Sequence, residues 1–219
     1  MIASNLLSQS IVPLRTSDTG EEALSIMSDF YVRHLPIVNN EQLLGLISED
    51  DILEHDIKEA IGSYQLSMNR PYSKGKDHVY EVLRLVSEYQ LTVIPVIDND
   101  DNYLGLISQE ELLRFFASIG SFTEPGSIVV LEMAKIDYSL AQLARIVESE
   151  NSVILSSFIT SNIDSTKIDV TLKINRPEVQ VIIATFERFN LKVKASFQEA
   201  TYFDSLKDRY DALMSYLNV

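Results

Sequence analysis

The sequence contains no cysteine, so disulfide bonds and thiolate metal sites are excluded and a reducing compartment is expected. Its first residues, MIASNLLSQSIVPLR, lack the basic start and the long apolar run of a signal peptide. No apolar stretch reaches the length of a membrane span. These absences predict a cytoplasmic protein with no membrane partner.

The residues and motifs that commonly perform catalysis are also scarce. There are only three histidines, and the motifs GxSxG, HExxH, GxGxxG and the Walker loop are missing. The adjacent acids Asp50 and Asp51 diverge on a helix, so they cannot share acid–base work. The acids from Glu49 to Asp56, with His55, spread around that helix and are typical of a solvated face rather than a metal site. The sequence therefore predicts a protein that is not an enzyme, with no metal site and no required cofactor.

Positive charge is in short supply, and unevenly so. The 219 residues include 18 Lys and Arg against 32 Asp and Glu, a net charge of −14. Residues 1–125 hold 8 basic and 20 acidic residues, whereas residues 126–219 hold 10 and 12. A surface this acidic repels phosphate backbones, which argues against nucleic acid and anionic membranes as partners. It also disfavours a polyphosphate ligand in the first half, unless a divalent cation accompanies it.

An internal repeat occupies the acidic half. Residues 18–38 match residues 77–97 at an offset of 59, and the offset becomes 60 through the shared segment GLIS because one turn is a residue longer. Each copy reads as helix, strand, turn, strand and helix, with a proline at the entry of the first strand. Asp18 and Asp77 are placed to cap the first helix of each copy. The Pro125–Gly126 pair marks the end of this half.

The order of these features, with HLPIV, a polar turn, GLIS and an acid three residues after the serine, resembles the CBS domain, the cystathionine-β-synthase module. Two copies in tandem resemble a CBS pair, or Bateman module. The resemblance implies an α/β fold with two β-α-β-β-α repeats, at about residues 5–61 and 66–120. Both repeats belong to a first domain of residues 1–125.

The resemblance also implies a ligand site in each copy. In CBS domains that bind adenosyl ligands, the serine or threonine hydroxyl approaches the phosphate, the aspartate accepts hydrogen bonds from the ribose, and aliphatic side chains enclose the base. In the first copy the matching residues are Ile11, Val12, His34, Leu35, Ile37, Gly45, Ser48 and Asp51. In the second copy they are Ile94, Val96, Gly105, Ser108 and Glu111, with glutamate in place of the aspartate. The implied ligand is AMP, ADP, ATP or S-adenosylmethionine, with magnesium accompanying a nucleotide.

A simpler explanation of these residues stays open. Tight strand pairing requires the glycines, and Ser48 and Asp51 are equally typical of a helix start that binds nothing. A phosphate would also need cations, and the basic cluster of the first half consists of Arg70, Lys74 and Lys76. These three are candidate phosphate contacts or, alternatively, solvated linker residues.

Residues 126–219 have the order strand, helix, strand, strand, helix, strand, followed by an amphipathic terminal helix, which is the order of a ferredoxin-like βαββαβ plait. From about residue 127 to 198 this part resembles an ACT domain, and the whole chain resembles small CBS–ACT proteins of the acetoin-utilisation type. ACT domains often bind amino acids through a glycine-bearing loop, but the loop here, AKIDYS, contains no glycine. The alternating strand at 167–174 exposes lysines that would protect a sheet edge.

Three functions follow from these patterns and stay open. The first is a regulatory sensor whose CBS pair binds an adenosyl ligand and transmits this to the C-terminal domain or to an unidentified regulated protein. The second is a homodimeric scaffold that recognises a protein and binds no small ligand, which Glu111 and the acidic surface favour. The third is an amino-acid sensor that acts through the ACT-like domain.

Overall fold

The structure is a computed structural model that describes residues 1–64, 71–119, 121–161, 166–198, 210, 213, 214 and 216. The chain divides into two compact units, Met1–Phe116 and Ala117–Val219, and both are mixed α/β as predicted. The predicted domain boundary at residues 125 and 126 stays a prediction. Four residues of the predicted terminal helix are described, 210, 213, 214 and 216, and all four are helical. The rest of that helix lies outside the described residues.

The first unit contains both copies of the repeat. The first copy consists of α1 (Gly20–Asp29), β1 (His34–Asn39), β2 (Gln42–Ser48) and α2 (Glu49–Leu53). The second consists of β3 (Ser73–Lys74), α3 (Val79–Glu88), β4 (Val93–Ile97), β5 (Tyr103–Ser108) and α4 (Gln109–Ile119). In the first copy, Leu14 forms a parallel bridge with Ile37 of β1. This bridge is equivalent to the parallel pairing of β3 with β4 in the second copy. Both copies therefore have the predicted order β-α-β-β-α.

The two hairpins share one register, which shows that the repeat is a folding unit used twice. Ile37 lies opposite Gly45 in the first hairpin and Val96 opposite Gly105 in the second, and each hairpin then has a bulge. Gly105 has a φ of +149°, which a residue with a Cβ rarely adopts. A Cβ there would also lie 3.3 Å from the side chain of Leu7. The glycine of GLIS thus leaves room for the N-terminal segment.

The helix starts differ from the prediction by one residue. Thr19 caps α1 and His78 caps α3, in place of Asp18 and Asp77. Each aspartate instead closes the turn before its helix, where it accepts a main-chain hydrogen bond of 2.7 Å from the residue three positions earlier. Threonine takes the cap of α1 because Glu22 completes a capping box with it.

Each repeat is completed by a short segment that lies outside its own helices and strands. The amide of Ala3 donates to the carbonyl of the aspartate before α3 at 2.9 Å, which places the first residues against the second repeat. In the same way, the amide of Ile61 donates to the carbonyl of the aspartate before α1 at 2.7 Å. Both side chains are buried in the cores that they join. We call residues 2–8 and 57–64 the closing segments.

The second unit contains one antiparallel sheet and two helices. Its elements are β6 (Ser127–Ala134), α5 (Leu140–Ser149), β7 (Ile154–Ser161), β8 (Lys167–Ile174), α6 (Gln180–Arg188) and β9 (Lys192–Phe197). The strand order β7-β8-β6-β9, antiparallel throughout, is that of the predicted ferredoxin-like plait. Alternate residues of β6 and β8 belong to the same core as the buried faces of both helices.

The lysines of β8 do not protect a sheet edge, because β8 lies inside the sheet between β7 and β6. Lys167 forms a salt bridge of 2.9 Å with Glu132 of β6, and Lys173 donates to the carbonyl of Gly126 at 3.0 Å. These side chains therefore tie β8 to its neighbour, and the expectation of an edge was wrong. Alternation alone does not tell an inner strand from an edge strand when only one face of the sheet is covered.

We expect Ala3→Asp to lower the free energy of unfolding by about 3–5 kcal/mol, because it buries a charge without a partner in the core of the second repeat. Urea denaturation of the full chain measures the loss, and hydrogen exchange should show α3 and β4 losing protection. Ser4→Asp, at the exposed neighbouring position, is the matched control and should be nearly neutral. Equal effects of the two substitutions would contradict the role of the closing segment.

Gly126→Ala should destabilise the second unit by about 1–3 kcal/mol, since Gly126 has a left-handed φ. Its φ is +148°, and a Cβ would lie 2.1 Å from the carbonyl oxygen of Ile174. Gly75→Ala is the control, because a Cβ there first meets the flexible end of the Leu104 side chain at 3.0 Å. Thermal unfolding compares the two variants, and equal tolerance would mean that β6 can start in another conformation.

Candidate functional site

The predicted ligand motif of the first copy, Ser48 and Asp51, forms a capping box at the start of α2. The Ser48 hydroxyl donates to Oδ2 of Asp51 at 2.6 Å, and the Ser48 amide donates to the same oxygen at 2.9 Å. The amide of Asp51 in turn donates to the serine Oγ at 3.1 Å. The two residues hold each other and the helix start in place without any ligand.

Ser108 and Glu111 make the same arrangement at the start of α4. The Ser108 amide donates to Oε2 of Glu111 at 2.9 Å, and the Glu111 amide donates to the serine Oγ at 3.3 Å. The serine hydroxyl also donates to Oε2, and the Ser108 side chain is buried. The longer glutamate therefore replaces the aspartate in the cap without a change in the hydrogen-bond pattern.

The motif of the second copy lies in a cavity between the two repeats. The cavity has a volume of about 250 Å³ and is lined by Ser10, Ile11, Phe30, Tyr31, Val32, Thr92, Ser108, Gln109, Glu110 and Glu111. Its walls come from the N-terminal stretch and the end of α1 on one side, and from α4 and the residue before β4 on the other. We call it the inter-repeat cavity. It brings Ile11, predicted for the first copy, to the motif of the second.

Main-chain hydrogen bonds position the N-terminal wall of the cavity. The amide of Ser8 donates to the carbonyl of Leu106 at 2.8 Å, along β5 of the second repeat. The amide of Leu14 donates to the carbonyl of Pro36 at 2.8 Å, along β1 of the first repeat. The chain crosses from one repeat to the other between these anchors, and Ser10 and Ile11 belong to this crossing.

The aromatic wall comes from the residues that end α1. Phe30 is the C-cap of the helix, and Tyr31 follows with a φ of 52°. This left-handed conformation reverses the chain direction and leads it into β1. The Tyr31 side chain is 94% exposed, so its ring stands uncovered beside the cavity.

Four of the predicted ligand contacts belong to the hydrophobic cores. Leu35, Ile37, Ile94 and Val96 are each at most 1% exposed. The central residues of β1 and all residues of β4 are buried, because both strands are covered on both faces. In this structure these four side chains pack against other core side chains. They line neither the inter-repeat cavity nor a second cavity of the first repeat, which contains Val12.

Val12 and the two glycines of the motif lie elsewhere. Val12 lines another cavity of the first repeat, of about 810 Å³, together with the residues up to Asp18 and the β1–β2 turn. Gly45 is buried inside β2, and Gly105 faces the closing segment. Neither glycine lines one of these two cavities.

The candidate phosphate contacts of the described chain lie outside the inter-repeat cavity. Arg70 lies outside the described residues. Lys74 and Lys76 are exposed and line neither the inter-repeat cavity nor the one at Val12.

His34 links the two repeats. Its Nδ1 accepts a hydrogen bond from the amide of Thr92 at 3.3 Å and lies 3.0 Å from the Thr92 hydroxyl. That hydroxyl also accepts from the amide of Arg33 at 2.8 Å. Burial, and after it the charge of Arg33, lowers the pKa of His34, so the ring is neutral at pH 7 and carries its proton on Nε2.

Sequence reasoning missed Thr92, Phe30 and Tyr31 as residues of the cavity wall. The sequence did contain a hint for Thr92. It is the repeat counterpart of Arg33, 59 residues later, and it directly precedes β4, the strand that carries predicted ligand contacts. For Phe30 and Tyr31, the sequence offered only their position at the end of α1, just before the chain enters β1.

The described residues hold neither a metal site nor a membrane span. Among them, no three His, Asp or Glu side chains come together in a way that holds a metal ion. Within the same ranges, no helix combines the length and the apolar character needed to cross a membrane.

Comparison with known proteins adds the family of the first half. The family model of the CBS domain matches residues 3–58 and 69–118. The chain is 26% identical over 117 residues to a homoserine O-acetyltransferase of Methanococcus vannielii and 22% identical over 113 residues to an inosine-5′-monophosphate dehydrogenase of Methanocaldococcus jannaschii. Each match covers 51% of this chain but only 24% and 23% of those proteins. The chain thus spans about a quarter of the length of these curated relatives.

Among solved structures, the chain is similar to a CBS domain pair/ACT domain protein from Thermotoga maritima. The TM-score is 0.48 at 19% sequence identity. The match covers 54% of this chain and 98% of that one.

The lowered pKa of His34 predicts a pH dependence of stability. The unfolded chain binds a proton at this residue more readily than the folded chain does. The free energy of unfolding should therefore fall as the pH drops through about 6.5 toward the lower pKa of the folded state. His34→Asn keeps an acceptor for the Thr92 amide but does not titrate, so its stability should change less over this range.

Urea denaturation at a series of pH values measures this difference. Thr92→Ser is the control, because it keeps both hydrogen-bonding groups next to the histidine and should keep the native slope. A slope in His34→Asn equal to that of the native protein would mean that the ring contributes nothing to the pH dependence.

Proposed function

Residues 3–58 and 69–118 are a tandem pair of CBS domains, and from this premise we propose that the protein is a regulatory sensor whose CBS pair binds an adenosyl ligand. The ligand occupies the inter-repeat cavity. Its binding shifts the relative pose of the two repeats, and the C-terminal unit or a partner protein responds to that shift. The protein acts by binding, without a catalytic step of its own.

One observation carries this proposal. Ser108 and Glu111 of the second motif line the same cavity as residues that end α1 in the first repeat. In the described chain, the hydrogen bonds to the Glu111 side chain all end on Oε2. Oε1 is therefore available as an acceptor for the two vicinal hydroxyls of a ribose. Hydrogen bonds to a charged acceptor contribute about 1.5–3 kcal/mol each, which is enough to orient a nucleoside.

The size of the cavity supports a ligand of nucleoside dimensions. Its volume of about 250 Å³ lies just below the range of roughly 300–1,000 Å³ typical of small-molecule sites. A base and a ribose fill such a space.

The two-sided wall gives the binding event a mechanical consequence. A ligand in this cavity contacts both repeats at once, so it favours the relative pose in which both sets of contacts are made. The His34–Thr92 hydrogen bond connects the repeats at the cavity wall. It therefore responds to the same change in pose.

A second candidate function is protein recognition by a homodimeric scaffold, and the groove between α3 and α4 favours it. This groove has a volume of about 540 Å³ and is lined mainly by apolar side chains, among them Leu83, Val86, Leu112, Leu113 and Phe116. Leu113 is 72% exposed. An apolar groove between two helices suits a second protein surface, and the capping role of Glu111 needs no small ligand.

No comparable observation favours amino-acid sensing by the second unit. In the loop between β6 and α5, Lys135–Asp137 form a 3₁₀ turn, and the Ile136 side chain is 92% exposed. These residues line none of the three cavities described above.

Calorimetric titration of the full chain with adenosine, AMP, ATP and S-adenosylmethionine, with and without magnesium, tests the sensor proposal. Glu111→Gln keeps the capping box, which glutamine also satisfies, but removes the charged acceptor. We expect saturable binding of at least one ligand and about a tenfold loss of affinity in Glu111→Gln.

Asp51→Asn is the matched control, because it makes the same change in the other capping box, whose residues do not line the inter-repeat cavity. It should leave binding in this cavity intact. If none of the ligands binds and the chain forms a stable dimer, the scaffold function replaces the sensor.

A further inference from the structure

We propose that the inter-repeat cavity selects adenosyl compounds whose 5′ substituent is uncharged or cationic, and rejects 5′-phosphorylated nucleotides. This inference rests on the proposed function and narrows the ligand class of the same cavity. Five observations lead to it: the charge of the lining, the state of the neighbouring arginines, the start of α4, the aromatic wall, and a difference between the two copies at one equivalent position.

Among the residues that the structure describes, the lining of the cavity contains acids and no basic residue. Glu110 and Glu111 are among its residues, whereas lysine, arginine and histidine are not. A phosphate that enters this space approaches two carboxylates, and no lining residue in the described ranges carries a positive charge to balance it. Like charges a few ångströms apart at a protein surface repel each other measurably, even in the presence of solvent.

Two arginines that lie close to lining residues in the sequence, Arg33 and Arg114, are already paired with carboxylates. Arg114 lies 2.5 Å from Glu110, one helical turn away, and weakens the charge of that acid. Arg33 lies 3.2 Å from Glu49 and 3.5 Å from Asp50, at the start of α2. Both guanidinium groups are therefore engaged by carboxylates of the protein before a ligand arrives.

The start of α4 does not act as a phosphate site. A helix N-terminus ordinarily favours anions, because its first amides lack partners and its dipole is positive there. Here the amide of Glu111 is bonded to Ser108, and the two acids of the first turn lie at the positive end of the dipole. The protein's own carboxylates thus take the place of an external anion.

The aromatic wall suits the opposite kind of substituent. Phe30 and Tyr31 both line the cavity, and the ring of Tyr31 is almost completely exposed. An aromatic face stacks on a base and attracts a cation through its quadrupole. A cationic group on the 5′ carbon therefore finds carboxylates and aromatic rings within the same cavity.

The two copies differ at one equivalent position in a way that supports this selectivity. Arg33 and Thr92 occupy equivalent positions in the two repeats. The carbonyl of Arg33 accepts a hydrogen bond from the amide of Glu49, the first residue of α2, and the carbonyl of Thr92 accepts one from Gln109, the first residue of α4. The side chain at this position is cationic beside the first motif but neutral beside the second. A cation that would hold a phosphate is thus replaced by threonine in the wall of the inter-repeat cavity.

The test compares three ligands that differ only in the group at the 5′ position, which is neutral in adenosine, cationic in 5′-amino-5′-deoxyadenosine and anionic in AMP. In calorimetric titrations of the full chain, we expect AMP to bind about tenfold or more weakly than adenosine, and the amine to bind at least as tightly as adenosine. The difference between the amine and AMP should shrink as salt is added, because the charges involved are partly exposed.

Glu110→Lys reverses one charge of the wall at an exposed position and should lower the preference for adenosine over AMP by about tenfold. Glu21→Lys is the matched control, since Glu21 is also an exposed acid in the first turn of a helix but does not line the cavity. Each ratio compares two ligands on one protein, so a variant with a smaller folded fraction still gives a valid ratio.

The outcomes separate this inference from the proposed function. Binding of AMP more tightly than adenosine, or a ratio that Glu110→Lys leaves unchanged, overturns the selectivity and leaves the sensor in place. If none of the three ligands binds, the adenosyl-sensor function fails, and the selectivity fails with it.

Discussion

Main-chain hydrogen bonds between the closing segments and the two repeats are the constraint on which the rest of the first unit depends. The segment at Ala3 completes the core of the second repeat, and the segment at Ile61 completes that of the first. Because the chain must then return from the second repeat to the first, Ser10 and Ile11 cross between the two. The inter-repeat cavity lies at this crossing, and the hydrogen bonds from Ser8 to Leu106 and from Leu14 to Pro36 hold its N-terminal wall in place.

The residues of the second motif combine a structural task with the proposed binding task. Ser108 and Glu111 hold the start of α4 through three mutual hydrogen bonds, of which Oε2 of Glu111 accepts two and Oγ of Ser108 accepts one. A side chain that is already fixed loses little conformational freedom when a ligand arrives, which favours affinity. The same acid contributes negative charge to the cavity. One residue, Glu111, thus helps to hold the helix start and contributes negative charge, and in our proposal it also accepts hydrogen bonds from the ribose.

Local sequence signals predicted the repeat, its strands, the glycine positions and the plait of the second unit, because short-range periodicity and turn residues determine these features. The partnership of Ile11 with Ser108 was not predicted, since it depends on a crossing between segments almost a hundred residues apart. The caps of α1 and α3 were displaced by one residue because Asp18 and Asp77 serve the preceding turn instead. The burial of Leu35 and Ile94 on both faces of their strands is likewise a product of packing, which residue type alone does not reveal.

The reciprocal placement of the closing segments has an evolutionary meaning. By the repeat offset, residues 60–64 correspond to the segment at Ala3, yet each of these segments packs against the repeat that does not directly follow it in the chain. This is the arrangement of a domain-swapped dimer, here contained in one polypeptide. A chain with a single copy would leave its core open or exchange the segment with a second chain. Duplication with fusion turns that exchange into an intramolecular step, so that completion of both cores no longer depends on protein concentration.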